Sequence, residues 1–159
     1  RGKPHASPRA AYMFILAVAV GTASDVRADP PLRDPSFKLV GELPPADIVD
    51  GCAWNASADG KAIFSAELDQ SAVRMRIGGK TVNFQPDDSV EAEGSLDAVG
   101  DQWRQVFRQG DMEVHAEFTV TWVCPPNDES CEVTFYNVRF TVTDGSRTEV
   151  IEATGDVGC

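Results

Sequence analysis

The stretch MEVHAEFTVTWVC, residues 112–124, alternates apolar and polar side chains almost to its end. Met112, Val114, Ala116, Phe118, Val120 and Trp122 fall on one face, and Glu113, His115, Glu117, Thr119 and Thr121 on the other. A period of two, carried by β-branched and aromatic residues, is the pattern of a half-buried strand. Its apolar face must be covered by another layer or by the same sheet closed on itself, so the stretch predicts an all-β protein with Trp122 in the core.

Outward from this strand, turn signals divide the chain at short intervals. Residues 102–109 run into Gly110-Asp111 and return along it as a hairpin. Residues 72–77 and 80–85 flank Gly78-Gly79, where glycine supplies the positive φ angles of a two-residue turn. Residues 131–143 reverse at Asp144-Gly145 into 147–154. The apolar positions of that segment change face midway, from Val133 and Phe135 to Tyr136, Val138, Phe140 and Val142, which predicts a bulge near Phe135. Further strands are predicted at 37–43 and 62–68, and the acidic, patternless segment 87–100 reads as a long loop. There is no heptad pattern, internal repeat or amphipathic helix. The elements sum to a single antiparallel β-barrel or β-sandwich of about seven or eight strands in a meander.

Ahead of this domain, residues 10–20 (AAYMFILAVAV) form an apolar run preceded by Arg1, Lys3 and Arg9. A spanning helix needs about twenty apolar residues. A run half that long, behind basic residues and ahead of small ones, has the form of a secretory signal peptide. Cleavage fits after Ala23 or Ala28, giving a signal over 1–28, a Pro-rich linker over 29–36 and a β domain over 37–159 with no transmembrane segment. The expected compartment is the bacterial periplasm or the medium.

Cys52, Cys124, Cys131 and Cys159 all lie in the β domain. In an exported chain an even number implies a disulfide framework with three possible connectivities. Cys124 and Cys131 enclose Pro125-Pro126-Asn127-Asp128-Glu129-Ser130, a turn-forming stretch between two strands, so they are expected to bridge a hairpin and leave Cys52 for Cys159. The C-x6-C spacing is not that of a zinc site, and no C-x-x-C redox pair occurs.

The chain carries 14 basic and 25 acidic residues, net −11. Removing the four bases and one acid of residues 1–28 leaves ten bases against 24 acids, a net charge near −14. Such a surface repels nucleic acid and attracts cationic partners.

The residues available for chemistry are few. His115 is the one histidine after residue 28, flanked on its face by Glu113 and Glu117, a setting that suits a pH-responsive surface site more than a general base. No G-x-S-x-G elbow is present. Asp87, Asp88, Glu91, Glu93, Asp97 and Asp101 supply carboxylates for a hydrolase-like pair or oxygens for Ca2+, but lack the D-x-[DN]-x-[DN]-G pattern. Trp54 follows Cys52 closely and is expected to pack against its bridge. Trp103, beside Arg104 and Arg108, is the candidate for an exposed binding aromatic. The expected binding face therefore comprises Trp103, Arg104, Arg108, Glu113, His115 and Glu117, with no catalytic residue, metal or cofactor.

The segment Met75-Arg76-Ile77-Gly78-Gly79-Lys80 resembles the M-R-I-x-G-K hairpin of small uncharacterised secreted or periplasmic proteins of proteobacteria. The spacing from Trp103 to Asp111, and then through Cys124-Pro125-Pro126 to Cys131-Glu132-Val133, is similar as well. The resemblance implies a β domain and carries no functional residue with it. Size, export, acidity and disulfides are also similar to those of the periplasmic lysozyme inhibitors, small β-barrels that bind basic lysozymes, although their S-G-x-x-Y signature is missing here. The function expected from these readings is a non-enzymatic exported binding or accessory domain for a cationic protein or peptide. The alternatives are inhibition of a lysozyme-like enzyme and a small carboxylate-based hydrolase.

Overall fold

The computed structural model describes residues 38–159. The signal segment, its two cleavage positions, the linker and Phe37 lie outside the described residues.

Among the described residues ten strands occur in chain order: β1 (Val40–Gly41), β2 (Ala53–Ala58), β3 (Lys61–Glu67), β4 (Val73–Ile77), β5 (Lys80–Pro86), β6 (Glu93–Gly94), β7 (Gln102–Gln109), β8 (Met112–Val123), β9 (Val133–Asp144) and β10 (Arg147–Gly158). Eight of them close an antiparallel barrel in the order β4-β3-β2-β10-β9-β8-β7-β5, with β5 pairing back onto β4. The connectivity is up-and-down, closed by pairing β2 with β10. The Cys52–Cys159 disulfide lies just beyond the Ala53↔Gly158 end of that pairing, so it clasps the seam between the first and last barrel strands. Cys124–Cys131 staples the connection between β8 and β9. Both pairings agree with the sequence expectation.

An eight-stranded barrel has an interior just wide enough to be filled by side chains. Here the filling is aromatic: Phe64, Phe84, Phe107, Phe118, Tyr136 and Phe140 are all buried. Phe64 stacks on Phe140 with centroids 5.0 Å apart, and Phe118 meets Tyr136 edge-on at 5.0 Å. The Tyr136 hydroxyl donates to the Asn55 carbonyl at 2.8 Å, so the one polar atom on that ring has a partner. Gly155, opposite Tyr136 in register, leaves the room this needs: a Cβ there would lie 2.0 Å from the Asn55 carbonyl oxygen.

The structure departs from the sequence reading at several points, among them the short strand β6 inside the segment 87–100 that reads as a loop. Within the described part of the strand expected over 37–43, residues 38–43, pairing is confined to Val40–Gly41, against β4. Other donors of that segment are taken elsewhere: Glu149 accepts from the Leu39 and Val40 amides, and the Leu43 amide donates to Ala62 at 2.7 Å. Strand β2 had no place in the sequence reading. Its AWNASA composition lacks β-branched residues, yet Ala53, Trp54 and Ala56 are buried. The face change near Phe135 does not come from a bulge in β9, which keeps strict alternation. The extra residue is Thr121 on β8, because Val120 faces Tyr136 while Trp122 faces Phe135. That shift turns Trp122 out of the core, where it is 39% exposed.

Candidate functional site

The outer face of β7–β10 carries most of the charged residues singled out from sequence, and the register arranges them in rows. Arg104, Glu117, Arg139 and Glu152 stand side by side on four successive strands. Arg104 Nε lies 3.3 Å from Glu117, and Arg139 Nε 2.6 Å from Glu152. A shallow groove of about 380 Å³ runs along this row and past Gln102, Thr119 and Asn137. Nearer the Gly110 turn, Arg108 pairs with both Asp87 and Glu113, and Glu113 also holds His115 Nε2. Arg104, Arg108, Glu113, His115 and Glu117 are thus brought to one face, where their charges engage one another. Exposed pairs of this kind each contribute about 0–1 kcal/mol, so the rows tune the surface more than they hold the fold.

The loop between β5 and β7 is tied down by its own carboxylates. Asp87 accepts from the Ser89 hydroxyl and from Arg108, which together hold its pKa at about 2. Asp101 accepts from the Ser95 hydroxyl and the amides of Ala98 and Asp97, and its pKa is lowered for that reason. A general acid requires a shift in the opposite direction. Among the described residues, no group of three His, Cys, Asp or Glu side chains is arranged to hold a metal ion.

Trp103 and Trp122 exchange the places that the sequence assigns them. Trp103 is half-buried rather than exposed, stacked on Trp54 at 5.3 Å and against Phe118 at 5.3 Å. Trp54 is buried in that same aromatic cluster, with its indole N–H donating to the Leu68 carbonyl at 3.0 Å. The ring that does meet solvent is Trp122, whose sole ring contact among the described residues is Phe135, 5.5 Å away and 44% exposed.

Phe135 faces Asp156 on β10 in register. Among the described residues, the Asp156 carboxylate makes no hydrogen bond or ion pair, and partial burial raises its pKa. The row Trp122, Phe135, Asp156 is not among the binding residues that the sequence suggests. Its only sequence signal was the outward placing of Phe135 relative to Tyr136. Comparison with family models, with curated proteins and with solved structures gives no match to this chain.

Proposed function

We propose that this protein is an exported, non-enzymatic binding or accessory domain that recognises a cationic protein or peptide through its acidic outer surface. The observation that carries this reading is the charge inventory. After residue 28 there are ten bases and 24 acids, so pairing every base would still leave fourteen carboxylates without a cation. The packed aromatic interior supports recognition on the outside of the barrel. The two disulfides, together with the basic and apolar opening segment, support export to the periplasm or medium. Complementary charge would raise the association rate and make binding sensitive to salt.

The test is capture by the disulfide-bonded protein of basic proteins from an envelope extract, with a panel of lysozymes alongside, at low and moderate salt. Selective capture of a basic partner that weakens as salt rises supports the proposal, and lysozyme inhibition would then be its sharper form. Failure to retain any cationic protein at low salt refutes it.

A further inference from the structure

The geometry points to Trp122, Phe135 and Asp156 as the docking site for an arginine or lysine side chain of that cationic partner. The inference rests on the function proposed above and gives it a place on the barrel. Three observations carry it. First, the bulge at Thr121 turns a tryptophan outward beside an exposed phenylalanine, and among the described residues the two rings touch no other ring. The two part-exposed rings put apolar surface in water, and a tilted pair presents an open ring face to a ligand.

Second, the neighbour in register is a carboxylate with no partner among the described residues, although every other outward row on β8–β10 that holds an acid also supplies a base or a histidine nearby. An aromatic face with an adjacent carboxylate suits a guanidinium or ammonium group, held by the ring quadrupole on one side and by the charge on the other. Third, the adjoining β8–β9 connection adds Asp128, Glu129 and Glu132, none of which pairs with a base among the described residues. The nearest base along β9 is Arg139, four residues from Phe135 or about 13 Å along the strand, and it is already engaged by Glu152. Charge complementarity therefore selects a cationic occupant over an apolar one.

The disulfide-bonded protein would be titrated with an oligo-arginine peptide, following the dissociation constant by calorimetry and the Trp122 indole N–H by NMR. The expected result is that the Trp122 indole shifts on binding. Trp122→Ala and Asp156→Asn should each weaken binding about tenfold. Trp122→Phe should keep most of the affinity, and Glu152→Gln in the paired row should change it by less than about twofold. Asp156→Asn alters charge with little change of shape, so its effect is read without disturbing the aromatic pair. Binding that is strong and equal in wild type, Trp122→Ala and Asp156→Asn would leave the acidic-surface function standing and overturn this site. No binding by wild type would overturn both. If Trp122→Ala instead abolishes a dimer seen by sedimentation, the occupant is a second copy of this chain and the proposal fails.

Discussion

Along the outer face of β8, β9 and β10, the stretches on either side of Thr121 are built from the same strands and differ in one residue of register. On the Gly110 side, each outward acid finds a base or a histidine, as in Arg104–Glu117, Arg139–Glu152 and Arg108–Glu113. On the disulfide side, the outward row holds two aromatic rings and a lone carboxylate. The difference shows what a bulge can do without moving the core. One extra residue leaves Val120 and Tyr136 inside and sends the next tryptophan to solvent. The paired stretch is electrostatically closed, while the other remains open to a partner.

The two disulfides both sit on the open side, and removing them should be the strongest way to break the comparison. Cys52 and Cys159 are 107 residues apart, Cys124 and Cys131 seven. Loop-closure entropy assigns about 5 kcal/mol to the long ring and about 2.5 kcal/mol to the short one. Cys52→Ser with Cys159→Ser should lower the urea midpoint of the whole barrel, because it opens the β2–β10 seam. Cys131→Ser with Cys124→Ser should leave the domain folded and raise amide exchange mainly beyond Thr121. Equal loss of protection on both sides of the bulge in the second variant would show that the open stretch is not a separate unit.

A smaller effect is expected under the open row, at Gly155. An added methyl would lie 2.0 Å from the Asn55 carbonyl oxygen and 2.8 Å from the Tyr136 ring. Overpacking of a filled core costs about 1–3 kcal/mol, so Gly155→Ala should destabilise by that order, read as a lower urea midpoint at unchanged slope. Two residues earlier, on the paired side, Ala153 already carries a buried methyl, so the barrel tolerates one there.

Much of this architecture is legible in the amino-acid sequence. Gly78-Gly79, Gly110-Asp111 and Asp144-Gly145 mark three hairpins because positive φ is a local demand that few residues meet. Strand β2 escapes because burial of small alanines leaves no periodic signal. Its one local sign is Asp59-Gly60, both at positive φ in the turn to β3. Trp122 and Asp156 are harder still. The outward turn of Trp122 belongs to the pairing of β8 with β9, and nothing within residues 112–124 announces it. The isolation of Asp156 depends on which residues stand across from it on β9, which only register decides.

Acid titration should separate the two stretches by sign. Asp87, on the paired side, has its pKa held down to about 2, so its ionised form is favoured by folding. The stability it contributes is present above about 3.8 and is lost as pH falls towards 2, and Asp87→Asn should flatten that limb. Asp156 behaves in the opposite way. Its pKa is raised from 3.8, so the folded state holds the proton more tightly, and stability declines as pH rises through that raised value. Asp156→Asn should therefore be more stable than wild type at neutral pH and equal to it below about 3.8, as checked by urea unfolding across pH. A neutral-pH loss of stability in that variant would mean that the open carboxylate has a partner within the fold.

The smallest effect should come from the charge rows themselves. Arg139 stands between Glu117 and Glu152 in register, and pairs with Glu152 at 2.6 Å with both side chains more than half exposed. Water and salt screen such a pair, so Arg139→Ala should cost about 0.2–1 kcal/mol in low salt and less as ionic strength rises. The same substitution also converts the paired row into one with an acid left over, which is the condition already present at Asp156. If matched charge is what keeps the paired stretch closed to cations, Arg139→Ala should create a second, weaker oligo-arginine site there, seen as shifts of the Glu117 and Glu152 side chains by NMR. Stability that falls slightly with no such shifts would show that an unpaired acid alone is insufficient, and that the rings of Trp122 and Phe135 make the difference.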